Sequence, residues 1–270
     1  MRRFPLVSWL WVILGAVYFI LPLYGTFDFS LRQVRDTISL AAYQSAFADP
    51  QFIQTFVFSN EMALLTIIVS LLLIVPTAYW VHLRLPRLRP VIELITLLPF
   101  VIPAIVLVFG LLKTYSSPLR VFGIAILPSL TGSDFSTTGL LVAGYIVLSL
   151  PYMYRAVDNG LRAMDVRTLT EAAQSLGASW PTVMARVIFP NLRTALLSGA
   201  LLTFATVVGE LTLASFLARP AFGPYLWLLG QHRAYEPAAL TIVSFALTWG
   251  AMVVIDLLTR GRSQQVIALH

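Results

Sequence analysis

The chain has 270 residues, of which 58% are hydrophobic and only 11% charged. Soluble domains carry about 45–50% apolar and about 25% charged residues, and here the apolar residues gather into runs roughly twenty long. Those proportions exclude a soluble enzyme domain, a disordered chain and a disulfide scaffold, and they predict a protein that crosses a membrane as helices. The absence of cysteine also excludes thiolate metal sites and cysteine nucleophiles.

About twenty residues at 1.5 Å each cross a hydrocarbon layer of about 30 Å. In chain order the first predicted span covers residues 5–24, behind Arg2 and Arg3. It reads as retained rather than cleaved: its apolar run is longer than a leader core, and no Ala-x-Ala-like site follows Pro22-Leu23-Tyr24-Gly25. The loop over residues 25–61 holds two short amphipathic stretches, Leu40-Ala41-Ala42-Tyr43 and residues 52–58, expected to lie as helices on the outer surface. Further spans are expected at 62–81, 91–112, 139–154, 194–217 and 238–258. The fourth is the shortest, with Arg155 placed to snorkel to the interface. Pro99 and Pro103 should open the hydrogen-bond ladder of the third and bend it, as pore lining or as a simple kink.

Six spans put both termini on one side. Of the eighteen basic residues, twelve fall in the segments on that side, three of them (Arg84, Arg87 and Arg89) in one short loop. The excess of positive loop charge therefore places both termini in the cytoplasm of a multi-pass cell-membrane protein. The net charge of +6 comes from scattered arginines, with Lys113 the sole lysine, so no dense nucleic-acid footprint exists.

Catalytic patterns are missing. There is no His-Glu-x-x-His and no Gly-x-Ser-x-Gly, and His82, His232 and His270 lie far apart, in predicted loops or at the terminus, without metal-ligand spacing. Leu112-Lys113-Thr114 lacks the glycine a phosphate-binding loop requires, so the chain does not cradle ATP itself. Glu61, Glu93 and Asp256 are read at helix ends, where the interface solvates them.

One segment, 155–193, is polar, faces the cytoplasm and is too long for a turn. Within it Thr168 or Thr170 can cap a short helix with Glu171 in its first turn. Ala172, Ala173 and Leu176 form a small apolar face. Gly177 permits the left-handed end of that helix, and Ser179-Trp180-Pro181 starts another. The result is a helix–glycine–helix knob suited to a groove on a soluble partner.

The sequence Glu171-Ala172-Ala173-x3-Gly177, with Val187-x-Phe189-Pro190 nine residues on, resembles the E-A-A-x3-G-x9-I-x-L-P loop of binding-protein-dependent ABC importer permeases. Val187 and Phe189 depart mildly from the pattern. The resemblance runs over nearly the whole chain and implies a single permease domain, 1–270, with the all-α, six-span type I (MetI-like) fold. It further implies a second permease subunit, homo- or heterodimeric, two cytoplasmic ATPases and an extracytoplasmic solute-binding protein, with ATP and magnesium held by the ATPases and no cofactor in this chain. Glu171, Ala172, Ala173 and Gly177 match the coupling motif directly, with Leu176 and Ala178 as neighbours on the same projection.

Glu210, about sixteen residues into the fifth span, is the most conspicuous intramembrane acid. A continuous helix puts Gly199, Thr203, Thr206, Glu210 and Ala214 on one stripe. Glu210 then lines a translocation path, together with Thr203, Thr206, Pro99 and Pro103, or bonds across a permease–permease interface. The double-proline third span, Gly209-Glu210-Leu211 and Phe216-Leu217 look most like the spermidine/putrescine and ferric-iron permeases, which favours a polyamine-type solute. Phe100, where polyamine permeases carry an acid, departs from that pattern and leaves ferric iron, an aminophosphonate or an oxyanion open. An ion-coupled secondary transporter would need inverted repeats, and none is visible.

Overall fold

The computed structural model describes residues 6–34, 37–121 and 124–267. Arg2, Arg3, Pro5, Arg35 and His270 lie outside the described residues, as do the side chains of Arg120, Asp256, Arg260 and Arg262. The described chain forms two compact units. One takes residues through Gln54 and then Tyr225–Val254; the other takes Thr55–Pro224 and the residues from Ile255 on.

The helices are α1 (Leu6–Ser30), α2 (Ala41–Ala48), α3 (Pro50–Arg84), α4 (Arg89–Val101), α5 (Ala104–Tyr115), α6 (Asp134–Arg162), α7 (Val166–Ser175), α8 (Trp180–Val183), α9 (Phe189–Val208), α10 (Thr212–Phe216), α11 (Phe222–His232) and α12 (Tyr235–Ile267). The one departure from an all-helical chain among the described residues is a small antiparallel pair, β1 (Leu119–Val121) with β2 (Ile124–Leu127).

Among the described residues four helical stretches are long and apolar enough to cross a membrane: Trp9–Ser30, Pro50–Arg84, Asp134–Arg162 and Trp180–Val208. A fifth arises if Pro86–Val101 and Ala104–Tyr115, bent by 101°, count as one broken span. Helix α12 runs through the sixth expected segment without adding to that number. The bend falls at Ile102-Pro103. Proline has no N–H to continue the ladder, and Pro103 instead offers its carbonyl to Val106 (2.9 Å) and Leu107 (3.3 Å) at the start of α5.

Several expectations change. The fourth span is not short, since α6 has 29 residues and is capped by Ser133, whose Oγ accepts the Ser136 N–H. Residues 52–58 form no separate surface helix; they are early turns of the 35-residue α3, and Glu61 lies inside that helix rather than at a start. The short helix expected near Leu40 is present as α2. His82 is in the last turn of α3 and His232 ends α11, so neither is a loop residue. The fifth helix stops at Val208, short of Glu210.

In the unit over Thr55–Pro224, α6 packs along α9 and α4, and α5 meets α10 through Phe109 and Phe216 (ring centroids 5.0 Å apart). Its core joins Ile74, Val75, Ala78 and Tyr79 of α3 with Met153, Val157 and Leu161 of α6, and with Val183, Met184, Ile188 and Leu192. Within lipid such contacts gain dispersion energy rather than release of water, so close fit decides them. In the other unit the Tyr225 hydroxyl donates to Asp49 (2.9 Å), Ser30 bonds Tyr43 (2.8 Å), and Phe29 stacks on Tyr235 (4.8 Å).

After α10 the chain doubles back against its own break. The Phe222 N–H donates to Ser59 Oγ (2.8 Å), and Gly223 lies against the Glu210 carbonyl group. A methyl group on Gly223 would overlap that carbonyl oxygen, a backbone atom that cannot step aside. Gly223→Ala should therefore destabilise the chain by about 1–3 kcal/mol, read as a lower midpoint of thermal unfolding in detergent, with wild-type membrane insertion.

Candidate functional site

The polar hairpin is built from its caps inward. Asp165, not Thr168 or Thr170, caps α7: its carboxylate accepts the Thr168 N–H (3.1 Å) and the Thr168 hydroxyl (2.7 Å). The bonds from Thr168 hold the Asp165 carboxyl below its ordinary pKa. Glu171 is consequently the sixth residue of α7 rather than part of its first turn. It is exposed and pairs with Arg167 one turn back (2.9 Å).

The helix ends in a Schellman motif. The Gly177 N–H donates to Gln174 O (2.8 Å) and the Ala178 N–H to Ala173 O (3.0 Å), with Gly177 at φ +81°. A side chain at that φ would be strained, which is why glycine stands there. Ala173 and Ala178, both half-buried, turn toward the core, whereas Leu176 is 90% exposed at the tip. The expected coupling residues are thus gathered on one knob that presents an apolar side chain to water. Pro181 opens α8, and Met184–Ile188 then form a π turn closed by the Phe189 N–H on Met184 O. A π turn inserts one extra residue, and such turns recur at functional positions.

Two consecutive residues of α3 grip both arms of the hairpin. Thr170, buried in α7, donates its hydroxyl to Val166 O (2.6 Å), so the Tyr79 hydroxyl is the donor in the 3.1 Å bond to Thr170 Oγ1. Trp80 stacks on Trp180 of α8 (6.3 Å, 23°), and Arg84 lies over the Trp80 ring (5.9 Å).

Beside this grip lies a charge cluster that the sequence did not disclose. Asp158 of α6 is buried and bonds Arg89 of α4 (3.0 and 3.2 Å), Arg162 of α6 (2.7 Å) and His82 of α3 (2.8 Å). An ionised carboxylate only accepts, so His82 Nε2 carries the proton in that bond. Glu93 joins through Arg89 and Arg162, and is therefore a paired residue inside α4 rather than a solvated helix start. Three long helices are tied by one carboxylate where α6 leads into the hairpin. A hint was present in Asp158 and Arg162 at i, i+4, but nothing in the sequence relates them to His82 or Arg89.

The membrane-facing candidates are placed differently from the expected stripe. Since α9 ends at Val208, Glu210 is no longer in register with Thr203 and Thr206. Its carboxylate turns to α10 and accepts the N–H groups of Thr212 (2.6 Å), Leu213 (3.0 Å) and Ala214 (3.2 Å), and Tyr145 bonds it as well. Thr203 is buried with its hydroxyl unpartnered, Gly199 is buried against Met153 and Ala156, and Thr206 is half-buried and bonded to Leu202 O (2.8 Å). Pro99 lies in the last turn of α4 and Pro103 caps the start of α5. Cavities of about 330, 560 and 250 Å³ in this unit are lined by other residues.

These features define a multi-pass membrane protein with a hairpin gripped by its helices. The chain belongs to the family described as binding-protein-dependent transport system inner membrane components, whose model matches residues 84–264. It is 32% identical over 156 residues to the molybdenum transport system permease protein ModB of Azotobacter vinelandii, covering 56% of this chain and 66% of that one. It is 32% identical over 204 residues to a probable molybdenum ABC transporter permease of Haloferax volcanii, covering 73% and 71%. To the spermidine/putrescine transport system permease protein PotB of Escherichia coli it is 25% identical over 167 residues, covering 60% and 59%. The chain thus spans just under two thirds of ModB and less of PotB. In fold it is similar to a crystal structure of a bacterial ABC transporter involved in the import of the acidic polysaccharide alginate, with TM-score 0.66, 17% identity and 94% and 95% of the two chains covered.

Removing the charge of Asp158 while keeping its shape leaves Arg89 and Arg162 short of a partner. Asp158→Asn should destabilise the protein by about 2–3 kcal/mol, less than the roughly 3–5 kcal/mol of a fully buried pair, because both arginines keep partial access to water; thermal unfolding in detergent checks it. Tyr79→Phe removes one hydrogen bond, about 1 kcal/mol, and should speed amide exchange in residues 166–175 selectively, leaving α6 and α9 unchanged.

Proposed function

We propose that this chain is the permease subunit of an ATP-driven importer, forming half of a solute path and receiving force through the hairpin of α7 and α8. Support comes from the knob itself: Glu171-Ala172-Ala173 and Gly177 on a capped helix, with Leu176 held out 90% exposed. An apolar side chain on an otherwise polar knob suits a groove on a soluble protein. In this reading the termini and the hairpin are cytoplasmic, the groove belongs to an ATPase that binds ATP and magnesium, and this chain has no nucleotide site. A second permease subunit completes the path, two ATPases drive it, and an extracytoplasmic binding protein delivers the solute.

The hairpin can transmit force because it is not free. A push on Leu176 reaches α3 through the Tyr79–Thr170 bond and the Trp80–Trp180 stack, and reaches α6 and α4 through the hub at Asp158. The π turn at Met184–Ile188 is a place where α9 can yield. Nucleotide binding shifts the permease only if the ATPase–knob contact differs in free energy between inward- and outward-open states.

For the solute, a molybdate-type oxyanion is the favoured reading. The relatives at 32% identity are named for molybdenum transport, Phe100 supplies no carboxylate for an amine, and the carboxylate of Glu210 is already occupied by backbone donors. A polyamine-type solute is the second reading, on the likeness to PotB. In proteoliposomes holding the assembled transporter, ATP-dependent uptake of molybdate with no uptake of putrescine supports the first, and the reverse supports the second.

Leu176→Asp puts a charge where the groove expects hydrocarbon and touches nothing in the chain's own core. It forfeits about 1.5–3 kcal/mol of apolar contact, roughly tenfold to a hundredfold in affinity. The expected outcome is loss of ATPase co-purification with normal membrane insertion; unchanged co-purification and unchanged ATP-driven uptake would overturn the coupling role.

A further inference from the structure

The cavity of about 330 Å³ between the head of α6 and the end of α10 has two unlike walls. One is apolar: Leu112, Phe216, Leu217 and Ala218. The other carries Thr131, Ser133 and Thr137, the guanidinium of Arg219 and the carboxylate of Asp134. An apolar pocket with a few convergent polar groups is the form small-molecule sites take, and this volume lies at the lower end of their range of about 300–1,000 Å³.

The charged pair is lopsided. The side chain of Arg219 is only 12% exposed, whereas its partner Asp134, 2.6 Å away through Nη1, is 93% exposed. The Arg219 Nε–H is also buried and lacks an acceptor. A cation fixed in the wall therefore faces a carboxylate that stands in water, and an incoming anion can take its place without leaving the guanidinium uncompensated.

Backbone strain holds the arginine in place. α10 ends in a Schellman turn, with the Ala218 N–H on Ser215 O (3.1 Å) and the Arg219 N–H on Ala214 O (2.9 Å). The left-handed position is Ala218, at φ 51°, the one non-glycine residue with positive φ among those described. An L-residue there is strained where glycine would not be. Strain of this kind, placed beside a half-buried cation, is what an observed outlier at a site looks like.

We infer that this cavity binds a small oxygen anion, a carboxylate or a tetrahedral oxyanion, on Arg219, with Asp134 as the internal group it displaces. The planar guanidinium suits paired oxygens, and the apolar side chains beside it limit competition from water. The binding stands by itself; its role, as a station where an anionic solute enters the path, rests on the permease reading.

The test uses the full chain in nanodiscs, titrated with sodium molybdate, sodium sulfate and sodium acetate, with putrescine as the cationic control. Saturable binding of at least one anion is expected, weakened at least about tenfold in Arg219→Gln, the loss of one charge-assisted contact. Asp134→Asn, which frees the guanidinium by changing only the exposed member of the pair, should tighten it several-fold. The second variant keeps the test decisive if the first fails to fold. The inference is overturned if no anion binds, if both variants bind as wild type does, or if putrescine binds and Asp134→Asn abolishes it. Co-purification of the ATPase is scored in parallel: its presence with no anion binding removes this site and leaves the permease reading, and the converse removes the permease reading alone.

Discussion

Inside a bilayer every backbone N–H and C=O must find its partner within the protein, and this requirement governs where the chain is helical and how it is allowed to stop. The runs of α3, α6 and α9 satisfy it internally. The interruptions do so by borrowing. At the end of α9 the ladder fails at Gly209, and the carboxylate of Glu210 gathers the freed N–H groups of Thr212, Leu213 and Ala214 into the start of α10. The pairing lets the polypeptide turn twice within a few residues, place Phe222 on Ser59 and bring Gly223 against the turn itself. The acid is costly in such surroundings, and four donors are what make it tolerable.

From that break the architecture can be followed to the hairpin. α9 packs along α6, and α6 carries Asp158 to the point where α3 ends and α4 begins. One carboxylate then joins three helices, and the next turns of chain form the knob that Tyr79 and Trp80 hold. Surface ion pairs contribute little, but a buried carboxylate with three partners resists rearrangement, because any partner that leaves exposes an uncompensated charge. Such a hub suits a protein whose helices move as bodies, and the π turn at the foot of α9 provides a yielding point between knob and span.

Much of this was legible in local pattern. Apolar runs announced the membrane helices, the Pro99 and Pro103 pair announced the break of 101°, and Gly177 announced a left-handed helix end, each because one residue type has one dominant effect on its own backbone. The cap of α7 was misread because Asp165, Thr168 and Thr170 are all competent caps, and only the direction in which the chain leaves α6 selects among them. The stripe through Glu210 failed because it assumed an unbroken helix. Gly209 was the one local sign of a stop, and the break is completed by a carboxylate folding back on later N–H groups.

By itself the sequence determined that this is a membrane protein, that its long helices alternate with a polar hairpin, and which residues form the knob, since these follow from hydropathy and near-neighbour backbone preferences. Only the tertiary structure decided that Glu210 is spent on backbone donors, that Asp158 joins His82, Arg89 and Arg162, and that a half-buried Arg219 faces an exposed Asp134. The contacts of Asp158 with His82 and Arg89 and the Arg219–Asp134 pair span tens of residues, the Glu210 bonds depend on where α9 breaks, and a charge's energy depends on what faces it and how much water remains. None of these is a property of a residue's neighbours in sequence.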